Sequence, residues 1–223
     1  MKDFKNIKNF IFDCDGVLYK DLDAVFGQVS KRMSEYISRK LNVDLKKAKE
    51  LQRNYFHQYN TSLNGLMIHH KIDPHEFLEY VHDINLDFLK KDTVLREELL
   101  KLDAKKFVYT NGSRDHVNNI TKHLGIDDLL DGVFDIVDGQ FIPKPQIEPF
   151  KILIKKFDIN PEETVFIEDI AKNLSVKKEL NLKTVWLINN EYWGKQDSDK
   201  NYIDVRIENL TSFLKEINIL KAA

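Results

Sequence analysis

The chain has 223 residues, 42% of them hydrophobic and 31% charged, with 34 Lys and Arg against 36 Asp and Glu. That length suits one large domain or somewhat more, the hydrophobic content excludes general disorder, and a formal charge of −2 lacks the basic excess of a dedicated nucleic-acid binder. No apolar run approaches the ~18 residues of a membrane helix. The N-terminal segment does not read as a signal peptide, and the single Cys14 forms no internal disulfide, so a cytoplasmic protein is expected.

The first predicted strand is Asn9–Phe12, a short apolar run bounded by polar residues. A long stretch over 21–101 then holds only Gly27, Gly65 and Pro74 as breakers. Within it Val25, Val29, Met33, Tyr36, Ile37 and Leu41 recur at helical spacing, and Leu45–Tyr59, 74–81 and 93–102 repeat the pattern with shorter apolar faces. Asp73 before Pro74 reads as an N-cap with proline in the first turn. Strand-like runs follow at 106–109, 164–167 and 184–188, alternating with helical patterns at 115–124, Ile147–Phe157 and 171–180. This alternation predicts an α/β fold, a Rossmann-like parallel sheet with helices on both faces. The helical block between the first two strands reads as an inserted small helical domain. The polar stretch 191–201 reads as a surface loop.

Ligands of open α/β sheets bind outside the carboxyl ends of the strands, and the polar residues with chemistry to offer fall there. The first strand runs into Asp13-Cys14-Asp15-Gly16-Val17, two acids whose mutual repulsion a cation or a shared proton would relieve. Taken alone, that motif reads equally well as a loop of solvated acids. The second predicted strand ends in Thr110-Asn111-Gly112-Ser113, whose hydroxyl and backbone N–H groups suit an anion. The run 164–167 ends in Glu168-Asp169, and Lys144 lies between Pro143 and Pro145. Four acids, a lysine and a threonine at strand ends make a site for a divalent cation and a phosphoryl group, and Mg2+ favours such hard oxygen ligands.

In this order the motifs DCDGV at 13–17, YTNGS at 109–113, Lys144 and IEDIAKN at 167–173 resemble those of the haloacid dehalogenase-like superfamily of Mg2+-dependent phosphohydrolases. The resemblance implies that Asp13 is the nucleophile, forming an aspartyl-phosphate, and that Asp15 is the general acid and base. It implies that Thr110 and Asn111 bind the phosphoryl group with Lys144, and that Asn173 orients Lys144. Mg2+ would be held by Asp13, the backbone carbonyl of Asp15 and Asp169, with Glu168 acting through a water. Asp15 favours phosphatase over dehalogenase, because the superfamily's dehalogenases lack that aspartate. DCDGVLY, the segment Tyr59-Asn60-Thr61-Ser62-Leu63-Asn64-Gly65-Leu66, YTNG and EDxxxN look most like the pyrimidine 5′-nucleotidase group. Gly16-Val17, Asn60-Thr61-Ser62 and Glu168 depart from that group's usual residues. The resemblance divides the chain into a core of 1–18 and 92–223 and a helical cap of 19–91.

The expected function is therefore Mg2+-dependent hydrolysis of a small phosphomonoester, a nucleoside 5′-monophosphate first. Phosphoglycolate or a sugar phosphate, a phosphomutase reaction and a non-catalytic binding protein are the alternatives. No nucleic-acid polymer and no membrane is expected as partner, and the chain is read as monomer or homodimer. Tyr19, Tyr59, Asn60 and Thr61 are candidate substrate contacts; Tyr19 packs equally well against the cap, and Asn60 or Thr61 serves equally well as a helix cap. His57, His69 and His70 read as solvated or core histidines rather than metal ligands. Strand alternation turns Cys14 into the core.

Overall fold

Strand β1 (Asn9–Phe12) lies at the centre of a six-stranded sheet ordered β3-β2-β1-β4-β5-β6. The other strands are β2 (Lys105–Tyr109), β3 (Gly132–Phe134), β4 (Thr164–Glu168), β5 (Lys183–Leu187) and β6 (Val205–Ile207). All neighbouring pairs run parallel. Residues 2–222 are described, in a computed structural model; Met1 and Ala223, at the ends of the expected core segments, lie outside them. Successive residues of the central strands face opposite sides: Phe10, Phe12, Val108 and Val165 enter one apolar cluster, while Ile11, Phe107 and Phe166 enter the other. Both faces are covered by helices, so these strands are continuously apolar rather than alternating.

Helices α1 (Leu22–Leu41), α2 (Leu45–Tyr59), α3 (Ser62–His70) and α4 (Pro74–His82) form the insertion between β1 and β2. They enclose an apolar cluster with Tyr36, Ile37, Leu66, Phe77 and Val81 buried, which Ile136 joins from the segment after β3. Asp44, Thr61 and Asp73 cap the second, third and fourth of these helices through side-chain oxygens, each satisfying a first-turn N–H. Around the sheet lie α5 (Thr93–Lys101), α6 (Arg114–Leu124), α7 (Ile147–Phe157) and α8 (Leu210–Ala222). Among the described residues no helix is long and apolar enough to cross a membrane.

The expected helix over 171–180 is instead a 3-10 segment, Ala171–Lys178. Its leading backbone donors are committed outside a helix, Ile170 N–H to Glu168 Oε2 and Ala171 N–H to the Gly194 carbonyl. Strands β3 and β6 have three residues each, too short to display a period. The segment 191–201 is a succession of turns with Tyr192 exposed, but Trp193 folds back against Phe26 of α1 and Phe56 of α2. It is thus a surface loop along only part of its length.

Candidate functional site

The chain leaves β1 for β2 and β3 on one side and then crosses to β4 on the other, so a crevice opens at the carboxyl ends of β1, β2 and β4. Asp13 continues β1, its N–H bonding the Ile167 carbonyl at 2.9 Å. Gly16 turns the chain at φ +76°, and a Cβ there would overlap the Asp169 carboxylate. Glycine is therefore required at Gly16 both for conformation and for the close approach of the two acidic loops.

Lys144 is buried, and its ammonium reaches Asp13 Oδ1 at 2.9 Å, Glu168 Oε1 at 2.6 Å and the Tyr109 carbonyl at 3.1 Å. Two of its protons are thus used in hydrogen bonds, to Glu168 and to the Tyr109 carbonyl, while Asp13 faces it as an ion pair. Asn111 accepts the Lys144 backbone N–H through Oδ1 at 2.9 Å, so its side chain fixes the lysine loop. Asn173 donates to Glu168 Oε1 at 2.7 Å, and therefore acts on Lys144 through Glu168 rather than by touching it. Thr110 is buried, its hydroxyl oxygen accepting the Gly112 N–H at 2.9 Å while it lines the same cavity. Cys14 is fully buried in the core cluster of one sheet face.

Carboxylate oxygens of Asp13, Glu168 and Asp169 lie within 4.8 Å of one another, all buried. Burial pushes the Asp13 carboxyl up to about 8, with Glu168 and Asp15 adding to the rise and Lys144 opposing it. Burial, Glu168 and Asp13 together hold Asp169 well above the usual carboxylate range. Burial opposes the Lys144 charge, yet Asp13 and Glu168 outweigh it and hold the ammonium above its ordinary value. One lysine therefore leaves the cluster short of positive charge. Both oxygens of Glu168 already accept hydrogen bonds, whereas among the described residues Asp13 Oδ2 and Asp169 Oδ1 accept none. Hard, anionic oxygens with two open positions fit a small divalent cation.

Asp15 behaves differently. Burial raises its carboxyl, but the His116 imidazole and the Tyr19 hydroxyl outweigh that and hold it down at about 2. Tyr19 is itself buried with its hydroxyl on Asp15 Oδ1 at 2.5 Å, and lies behind the acid rather than along the main cavity. That cavity, about 780 Å3, extends from Asp13, Asp15, Thr110, Lys144 and Asp169 to Phe26, Phe56 and Trp193 under the insertion. Asn60 and Thr61 line it; Asn60 Oδ1 accepts from Lys172 at 2.9 Å, and Thr61 also caps α3. Tyr59 does not line it, because the end of α2 directs its hydroxyl to His69 on an exposed side at 2.6 Å.

Several side chains at the site were not singled out from sequence. His116 follows YTNGS by three residues, a titratable group in the first turn after a strand-end motif, which is a usable signal. His82 and Asn189 carry no such signal. His82 comes from the insertion, and Asn189 donates to Asp169 Oδ2 at 2.8 Å from beyond β5.

A family model described as haloacid dehalogenase-like hydrolase matches residues 7–176. Phosphate metabolism protein 8 of Saccharomyces cerevisiae is 32% identical over 161 residues, covering 65% of this chain but 50% of the yeast protein, so the chain spans half that relative's length. A glyceraldehyde 3-phosphate phosphatase of Methanocaldococcus jannaschii is 27% identical over 231 residues, covering 96% of this chain and 99% of its own. Among solved structures, a HAD phosphatase from Thermococcus onnurineus superposes with a TM-score of 0.62 at 20% identity, covering 95% of this chain and 98% of its own, a likeness in fold. The family match runs from just before β1 into the 3-10 segment bearing Asn173, and so takes in the ends of β1, β2 and β4 that carry Asp13, Thr110, Glu168 and Asp169. The chain belongs to the haloacid dehalogenase-like hydrolase family.

Proposed function

We propose that this protein is a Mg2+-dependent phosphatase of small phosphomonoesters, with nucleoside 5′-monophosphates as the preferred class. The observation that carries the reading is convergence: Asp13, Asp15, Thr110, Lys144 and Asp169, from four separated stretches of chain, line one wall of a single cavity. Asp13 and Asp169 would hold the cation with the Asp15 backbone carbonyl, Glu168 standing behind them. When bound, the metal would offset the charge that otherwise repels a carboxylate from a phosphate dianion.

In the first displacement an Asp13 oxygen attacks phosphorus, the ester P–O bond breaks and Asp15 gives its proton to the departing alkoxide. The incoming dianion raises Asp15 toward its acid form by like-charge repulsion. Water then attacks the aspartyl-phosphate and passes a proton to Asp15, releasing phosphate and restoring Asp13. Thr110 and the Lys144 ammonium would hold the phosphoryl oxygens through both displacements. In this reading residues 19–91 act as a cap over a core of 1–18 and 92–223, excluding bulk water from the intermediate.

The aromatic far end of the cavity supports a substrate with a planar or apolar body, and the volume lies within the usual range of small-molecule sites. A sugar or triose phosphate is the second reading, favoured by the near full-length similarity to a relative named for glyceraldehyde 3-phosphate. Specificity constants for UMP, CMP, AMP, phosphoglycolate and glyceraldehyde 3-phosphate distinguish them. Preference for UMP and CMP by at least about tenfold, ~1.4 kcal/mol in transition-state terms, is the expected result. A preference for the triose phosphate would transfer the assignment to the second reading. No Mg2+-dependent phosphate release from any of them would reject both.

A further inference from the structure

Asp15 is held in an asymmetric way. Its Oδ1 accepts two hydrogen bonds, from the Tyr19 hydroxyl at 2.5 Å and from His116 Nε2 at 2.9 Å. Among the described residues its Oδ2 accepts none, while Asp15 itself lines the cavity. Two donors on one oxygen prevent the carboxylate from rotating, which would exchange the two oxygens. His116 is 1% exposed, and among the described residues its Nδ1 has no partner. Burying an imidazole with an unpaired nitrogen is costly, and an apolar side chain would fill the same space without that cost. Packing alone does not account for a histidine there.

A third residue bears on this pair from the insertion. The His82 ring, at the end of α4, stacks on His116 with centroids 4.3 Å apart and planes 19° from parallel. His82 Nδ1 pairs with Ser113 Oγ at 2.9 Å, and that same oxygen accepts the His116 backbone N–H at 3.3 Å. His82 thus touches both the ring that holds Asp15 and the residue that caps α6.

We propose that Tyr19 and His116 are positioning residues that pin Asp15 by one oxygen so that the other faces the scissile bond, and that His82 clamps the His116 ring when the insertion is seated. This rests on the reading of Asp15 as the proton donor and acceptor. Proton transfer demands alignment to a fraction of an ångström, and a carboxylate swinging on a single tether loses it. Because His82 belongs to α4, alignment of Asp15 and seating of the helical insertion become one event.

The test compares kcat/KM, with saturating Mg2+, for p-nitrophenyl phosphate and for the best alkyl monophosphate. The first has a leaving group that departs without a proton; the second does not. Tyr19→Phe and His116→Leu should lower the alkyl phosphate value by about tenfold to a hundredfold, and the p-nitrophenyl phosphate value by less than about threefold. His116→Gln, whose amide can donate from nearly the same place, should recover most of the loss. His82→Ala should share the signature, and His82→Phe, which keeps the stack, should lessen it. Equal losses on both substrates, or failure of His116→Gln to recover activity, would overturn the positioning role. Asp15→Asn is the control: if it shows no leaving-group dependence, the assignment of Asp15 itself fails, and the inference with it. Thermal melts accompany each variant, and Tyr19→Phe, which removes a single oxygen, carries the test if the histidine variants do not fold.

Discussion

Lys144 shows how much one side chain does here. It is buried between Asp13 and Glu168, so Lys144→Met leaves two enclosed carboxylates without their counter-charge. Urea denaturation should show a loss of about 3–5 kcal/mol in metal-free protein, the range for breaking a buried ion pair, together with loss of turnover. Undiminished stability would mean that the carboxylates take up protons in compensation. Asp13→Asn should abolish turnover, by at least about three orders of magnitude, while the fold survives; full activity would remove the aspartyl-phosphate mechanism. The raised Asp13 sets a pH dependence of defined sign. An acid whose folded pKa, about 8, exceeds its unfolded value stabilises the fold fully at low pH, and this is lost as pH rises toward 8. Because protons and Mg2+ compete for the same oxygens, Mg2+ should raise the melting temperature more at pH 8 than at pH 5, and Asp13→Asn should flatten that difference. An equal Mg2+ effect at both pH values would place the cation elsewhere.

At the scale of elements, the segment 59–66 that carried the nucleotidase resemblance turns out to have local structural duties. Thr61 caps α3, and Gly65 lies against Tyr55 of α2 so closely that a Cβ would overlap the ring. Gly65→Ala should therefore cost about 1–3 kcal/mol by overpacking, read as a lower melting temperature. Unchanged stability with altered substrate preference would instead give the glycine a role toward ligand. Elements with a sustained period were legible: α1, α2 and α7 follow from apolar spacing, and β1 from a four-residue run. The segment 171–180 has a helical pattern yet is a 3-10 segment, and the Gly194 carbonyl that meets its Ala171 N–H is remote in sequence. Tyr59 is a candidate substrate contact by its motif, yet at the end of α2 its hydroxyl meets His69 and it does not line the cavity.

Across the whole molecule, the formal charge of −2 conceals a buried concentration of acid on one side of a cavity and an aromatic cluster on the other. Trp193 reaches that cluster from beyond β5, and Phe26 and Phe56 from the insertion, so both parts of the chain line the far end of the cavity. Trp193→Ala should raise KM for a nucleoside monophosphate by about tenfold, the scale of one lost stacking contact, and that for glyceraldehyde 3-phosphate far less. Equal effects would assign the tryptophan to closure of the cavity instead. The sequence by itself determined the alternation of strands and helices, the insertion after β1, the acids and threonine at strand ends and the lysine between two prolines, because period and motif are local properties of a chain. Only the tertiary structure decided that His82 stacks on His116, that Tyr19 bonds Asp15, that Asn189 holds Asp169 and that Trp193 faces α1 and α2. Most of those pairs join parts of the chain remote in sequence, and Tyr19 meets Asp15 only through the turn at Gly16; distance and orientation in folded space, rather than residue type, make them partners.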